Sequence, residues 1–229
     1  MGKGSGGGGG SHGVGGVGGR SARAGGGGSA AMTYESLPLH GEVTNNDKQL
    51  LSGDRAALAR AEAFAKTLDP LAAEAIKEFT VSEFAKFRSI DKSGEGGTQS
   101  QREKVVAINK AMDRAPKHAV TVYRGLALTD SQIGDLIKTK ELVFDAMASS
   151  SRSAKMAQTF IGSTGYGKRG VFMQIRQKSG IPVESISEIK GEREIMIRKG
   201  TAIKITSVSR GIYDGDEILI VKGKEITKK

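Results

Sequence analysis

The stretch REKVVAINKAMDRAPKHAVTVYRGLAL, residues 102–128, changes its period halfway along. Up to Pro116 the apolar residues Val105, Ile108 and Met112 recur at three- and four-residue steps, the spacing of one helix face. Pro116 lacks a backbone N–H and ends that helix. From Ala119 the pattern alternates residue by residue and is β-branched, as a strand requires. Helical patterns lie almost wholly before this switch and strand patterns mostly after it. Segregation of this kind predicts an α+β fold, a helical layer packed on a mainly antiparallel sheet.

Working back towards the N-terminus, VSEFAKFRSI places Val81, Phe84 and Phe87 at helical spacing, which assigns them to the core. PLAAEAIKEF is a helix with Pro70 at its first position, capped by Asp69. DRAALARAEAFAKTL is rich in alanine and other helix formers, with Ser52 or Asp54 as cap. Residues 32–50 are polar and transitional. Residues 1–31 are low complexity: about half of the chain's 33 glycines fall in the first 28 positions. Glycine buries no side chain to offset its ordering entropy, so this segment reads as a flexible tail: a linker, a tether or an expression scar. His12 within it is incidental. The domain is thus expected over 51–229, helical over about 51–116 and strand-rich over about 117–229.

Working forward, TDSQIGDLIKT is a short helix capped by Thr129, ELVFDAMASSS a strand, and SAKMAQTFIG a helix capped by Ser151 or Ser153. GVFMQIRQ, IPVESISEI, EREIMIRKG, TAIKITSVSRG and DEILIVKG continue the strands. About six strands are expected against four or five helices. GSTGYGKRG (162–170) has the glycine of a phosphate-cradling loop but not its order, because Lys168 is followed by Arg169. It reads as a mobile loop that reaches a ligand through Tyr166 or Lys168.

The formal net charge is +10. Such a balance favours anionic partners, from nucleic acid to acidic proteins. The charge is scattered, with no run of four Lys or Arg, which points to weak, nonspecific binding of acidic partners. The absence of cysteine excludes a disulfide scaffold, a thiolate zinc site and a cysteine nucleophile. No metal site is expected. No apolar stretch reaches the length of a membrane span, and glycines follow Lys3 where a secretory signal needs an apolar core.

Three features carry chemistry. Arg124, in VYRG, is costly inside an apolar strand unless it meets an anion; the alternative is an edge strand with Arg124 in solvent. Gly125 after it allows close backbone approach. Ser149, Ser150 and Ser151 end a strand, where they either bind a ligand or cap the next helix. Glu192 and Glu194, in GEREIMI, would lie on one face of a strand entrance, with Arg193 on the other face. Paired carboxylates there divide acid–base and charge-stabilising work, or else face solvent at a sheet edge.

In order and spacing these motifs resemble those of the ADP-ribosyltransferases of the arginine–serine–glutamate class, which include clostridial-type toxins and phage mono-ADP-ribosyltransferases. The resemblance spans about residues 50–225, with GEREIMIRKGTAIKITSV similar to the family pattern throughout. It implies that NAD is the substrate, that Arg124 holds its pyrophosphate, that Ser149 acts in catalysis by positioning Glu194 and lining the nicotinamide pocket, and that Gly125, Ser150 and Ser151 also bind NAD. Glu194 would bind the ribose 2′-hydroxyl and stabilise the sugar cation. Glu192 would select arginine of a target protein as acceptor. Ser150 stands where the family has threonine, and VESISEIKG lacks the aromatic residue that relatives use on targets. The resemblance also implies action in the cytoplasm of a host or target cell, reached by phage delivery or by translocation. Three other readings share these residues: an NAD glycohydrolase, a nucleic-acid-directed transferase, and a non-enzymatic basic binding module. The last is opposed by 5% aromatic content and no tryptophan.

Overall fold

The computed structural model describes residues 32–42, 51–162 and 167–227. The glycine-rich segment 1–31 and Tyr166 lie outside the described residues.

After a short strand, β1 (Leu39–Glu42), come four helices: α1 (Leu51–Ala65), α2 (Pro70–Val81), α3 (Phe84–Ser93) and α4 (Gln99–Arg114). Ser52 and Asp54 fall inside the first turn of α1 rather than ahead of it. Asp69 caps α2 as expected, its Oδ1 accepting the Ala72 N–H at 2.8 Å, with Pro70 next in line. Thr98 and Gln101 form a reciprocal capping box on α4. Such caps are worth ~1 kcal/mol each. Phe79, Phe87, Ile108 and Met112 form the core between these helices and the sheet.

The switch after Pro116 is where β2 (His118–Thr129) begins. It is followed by α5 (Asp130–Thr139), β3 (Glu141–Val143), β4 (Ala148–Ser151), α6 (Ala154–Gln158), β5 (Lys168–Pro182), β6 (Glu194–Ile197), β7 (Ala202–Tyr213) and β8 (Asp216–Ile226). Thr129 and Ser153 cap α5 and α6. With β1 (Leu39–Glu42) this makes eight strands among the described residues, in the order β1-β7-β8-β5-β2-β4-β6, with β3 on β7. Six pairings are antiparallel; β1–β7 and β5–β8 are parallel. The α+β architecture is therefore as expected.

Three details differ from the sequence reading. The segment 141–151 is two strands, not one: β3 joins β7, while the chain turns at Asp145 and β4 inserts between β2 and β6. IPVESISEI is no separate strand, because β5 runs on through Pro182 and residues 184–188 are turns and bends. The transitional segment contributes β1, and Tyr34 and Leu37 are buried against the sheet, so the folded part starts ahead of residue 51.

One closure positions everything that follows. β5 pairs with β2, β2 with β4, β4 with β6, and β6 returns to β5 through Ile181–Met196 and Pro182–Ile195. These four strands make a ring. A closed ring fixes register, since no strand can slip without breaking two ladders.

Candidate active site

A cleft of about 520 Å³ opens between the end of α2, α3 and the strand ring. That size suits a nucleotide-scale ligand. Arg124, Gly125, Ser149, Ser150, Ser151, Glu192 and Glu194 all line it. The ring brings together residues that are up to seventy positions apart in the chain.

Arg124 lies on a central strand, opposite Met173 of β5, not at an edge. Its guanidinium donates to the Ser149 carbonyl and stands 5.9 Å from the Phe84 ring centroid. Burial, then the nearby Arg88 cation, lowers its pKa to about 10. An anion in the cleft would oppose this lowering by favouring the charged guanidinium.

Arg88 on α3 is a cleft residue that the motifs do not reveal. Its guanidinium also lies over Phe84, 5.3 Å from the ring centroid, and its Nε donates to the Met147 carbonyl at 3.0 Å. Sequence spacing does hold a signal: Arg88 follows Phe84 by one helical turn, so both share a face. The same spacing assigns Phe84 and Val81 to the core. Phe84 does pack against the helical core, while its half-buried ring also forms part of the cleft wall; Val81 differs and is exposed at the rim. Helical periodicity marks a face, but it does not say whether core or cleft lies beyond it.

The three serines each hold a different part of residues 192–195. The Ser149 hydroxyl hydrogen-bonds the Glu194 carboxylate. Ser150 Oγ donates to the Ile195 carbonyl at 2.8 Å, and Ser151 Oγ donates to the Glu192 carbonyl at 2.6 Å. The last two hydroxyl hydrogens are thus engaged by the backbone beside the glutamates.

The glutamates are not neighbours on one strand face. Glu192 closes a single 3₁₀ turn, Lys190–Glu192, and β6 begins only at Glu194. Between them Arg193 has φ = 49°, in the left-handed region, which costs a non-glycine residue ~1 kcal/mol. That twist breaks the two-residue alternation, so the strand geometry expected for the pair does not apply. Arg152 N–H to the Arg193 carbonyl (3.1 Å) and the Ser151 bond hold the twist in place.

Glu194 is 2% exposed, and its Oε2 has no hydrogen-bond partner among the described residues. Burial raises its pKa to about 7; Ser149 and Arg124 pull it down and Glu192 pushes it up. Glu192 is half-buried, its pKa raised by burial, and its carboxylate forms no ion pair among the described residues. The cleft therefore has two cations on one wall and two carboxylates on another.

Gly125 is required by packing. A Cβ there would come within 2.1 Å of the Ala157 carbonyl oxygen and 2.5 Å of the Ile161 nitrogen. The close approach that glycine permits is by the chain's own backbone, which carries the exposed Phe160 to the cleft rim. Lys168 begins β5 and is exposed; it does not line the cleft. Among the described residues no cluster of metal-ligating side chains occurs.

Comparison with known proteins bears on this geometry. The chain is similar in structure to the ADP-ribosyltransferase Vis of Vibrio splendidus: 15% identity, 81% of this chain and 88% of that one, TM-score 0.60. It is similar also to the ADP-ribosyltransferase toxin Plx2a of Paenibacillus larvae, at 19% identity over 78% and 97% of the two chains, TM-score 0.59. For exoenzyme S of Pseudomonas aeruginosa the identity is 18% over 76% of this chain and 88% of that one, with TM-score 0.55. These likenesses establish the fold. No curated protein matches the chain by sequence. The sequence model of the ADP-ribosyltransferase exoenzymes matches residues 74–228, two thirds of the chain and every cleft-lining strand. The protein belongs to the ADP-ribosyltransferase exoenzyme family, whose substrate is NAD.

Proposed function

We propose that this chain is a mono-ADP-ribosyltransferase that transfers ADP-ribose from NAD to arginine side chains of a target protein. The observation that carries the acceptor is Glu192: a half-buried carboxylate with no ion pair among the described residues, beside Glu194 in the same cleft. A related enzyme of the same fold, Vis, has been solved with agmatine, a guanidine like the arginine side chain.

NAD carries an anionic pyrophosphate and a cationic nicotinamide ring. The two-signed cleft suits both. Arg124 and Arg88 hold the pyrophosphate, the second while also bracing Met147. When the bond from ribose C1′ to the nicotinamide nitrogen breaks, its electron pair goes to that nitrogen and C1′ becomes oxocarbenium-like. Glu194, held by Ser149, places negative charge beside the developing cation and binds the 2′-hydroxyl. Its orphan Oε2 is the acceptor available for that hydroxyl. A guanidinium nitrogen of the target then bonds to C1′ and gives its proton to Glu192. A guanidinium is a poor nucleophile at neutral pH, so a base beside it is needed. Burial supports that role by raising the basicity of Glu192. An exoenzyme acts outside the cell that makes it, which supports a target in the cytoplasm of another cell.

The test uses labelled NAD with agmatine and with polyarginine. Wild type should label both. Glu192→Ala should lose transfer and keep NAD hydrolysis, and Glu194→Ala should lose both. Hydrolysis without any transfer by wild type would make the chain an NAD glycohydrolase instead.

A further inference from the structure

The outer face of the sheet carries cations where strand pairing disfavours them. Arg176 on β5 lies opposite Lys224 on β8, and Lys224 lies opposite Lys204 on β7. Lys222 sits two residues before Lys224 on the same face, opposite Ser207. Lys178 extends the Arg176 side. All five are exposed, and each alternates with buried or half-buried residues, which fixes them on one face. Directly opposed like charges destabilise a sheet. Glu141 on β3 is the cross-strand neighbour of Lys204 at the far edge. Nearer the centre compensation is absent: none of the five side chains forms an ion pair among the described residues. Glu225, the adjacent acid, spends its oxygens on the Lys178 and Ser179 N–H groups and the Ser179 hydroxyl.

This face is continuous with the cleft. Tyr123 lines the cleft and lies opposite Gln174, which lies opposite Lys222. Two strand spacings, about 10 Å, separate Tyr123 from Lys222. A macromolecule whose reacting group enters the cleft would rest on these cations.

We infer that Arg176, Lys178, Lys204, Lys222 and Lys224 form the docking surface for the acceptor, and that it fits an acidic protein surface surrounding the modified arginine. The inference rests on the arginine-transfer reading above. The two signs of charge argue for protein over nucleic acid. At the cleft the acceptor meets the Glu192 carboxylate, which attracts a guanidinium and repels a phosphate; across the face it meets cations. An arginine set among carboxylates satisfies both. Single-stranded nucleic acid is usually gripped by stacking platforms, and no aromatic residue lies among the five cations; Tyr123 and Tyr213, further along this face, are both half-buried.

Two fluorescent peptides of equal length test this, each with one central arginine, flanked by glutamates in one and glutamines in the other. Binding is read by anisotropy, which needs no catalysis, and agmatine modification is measured in parallel. Wild type should bind the glutamate peptide about tenfold more tightly at low salt, with the preference gone at high salt. The double variant Lys222→Gln/Lys224→Gln should lose the preference and modify agmatine at the wild-type rate. Equal binding of the two peptides, or a preference that survives in the variant, would overturn the inference. So would displacement of the peptide by an RNA oligonucleotide at lower concentration than by unlabelled peptide. A wild type that shows the preference but leaves agmatine unmodified would keep the docking surface and sink the acceptor reading.

Discussion

The Asp91 carboxylate accepts the backbone N–H of Met147 at 2.6 Å, joining α3 to the lead-in of β4 across 56 positions of sequence. Three residues earlier on α3, Arg88 donates to the carbonyl of that same Met147. One helix thus grips both polar groups of the residue two places before Ser149. Asn109 Nδ2 donates to the other Asp91 oxygen at 2.8 Å and holds the carboxylate in place. Asp91→Asn presents the Met147 N–H with a neutral side chain and sacrifices a buried, charge-assisted bond. The expected loss is about 2 kcal/mol, or roughly 4–8 °C in Tm. Because α3 also carries Arg88 and Phe84, KM for NAD should rise more than kcat falls. Thermal denaturation and NAD-hydrolysis kinetics read the two effects separately.

Gly125→Ala tests why a glycine follows Arg124. The added methyl would meet backbone, not a movable side chain: the Ala157 carbonyl oxygen and the Ile161 nitrogen. Relief requires α6 and Phe160 to shift away from β2. Overpacking of this kind costs about 1–3 kcal/mol. The substitution should lower the midpoint of urea unfolding without changing the slope, and weaken NAD binding because Phe160 and Met156 line the cleft. An unchanged midpoint would mean that α6 is not seated as described.

The helices and long strands are legible in sequence because their signals are local. Periodicity, Asp69-Pro70, and the caps at Thr129 and Ser153 act within a few residues. The site's members are legible through motif order. Their geometry is not, for reasons of distance. The 3₁₀ turn at Glu192 and the positive φ of Arg193 depend on bonds from Ser151 and Arg152, some forty residues away. Arg88 gains its role only when the ring of strands places Met147 beside α3. The break between β3 and β4 leaves no strong mark either, because Phe144 and Ala146 continue an apolar alternation through the turn.

Ser149 and Ser151 are predicted to fail differently. Ser149→Ala removes the hydrogen bond that favours the ionised form of Glu194. The acid limb of the pH–rate profile for NAD hydrolysis should then move to higher pH. Ser151→Ala leaves that bond intact and releases the Glu192 carbonyl. Transfer to agmatine should fall while hydrolysis persists, with the acid limb where wild type has it. Identical profiles for the two variants would mean that the serines act only as a structural unit.

Glu194 couples stability and activity to pH in opposite directions. Burial raises its carboxyl from the ordinary 4.5 to about 7. Between those values the folded chain holds a proton that the unfolded chain has released, so stability falls as pH rises through the window. Glu194→Gln is neutral throughout. It should match wild type near pH 4 and be more stable by ~3 kcal/mol near pH 8, which denaturant titrations at the two pH values will show. Catalysis needs the carboxylate, so kcat/KM for NAD hydrolysis by wild type should climb to a plateau above about pH 7, and the glutamine variant should show no such limb. Bound NAD puts a pyridinium cation beside the carboxylate and favours its ionised form. The limb in kcat should therefore lie at lower pH than the limb in kcat/KM. A glutamine variant no more stable than wild type at either pH would mean that Glu194 is not held protonated by burial, and that its charge carries no cost in the fold.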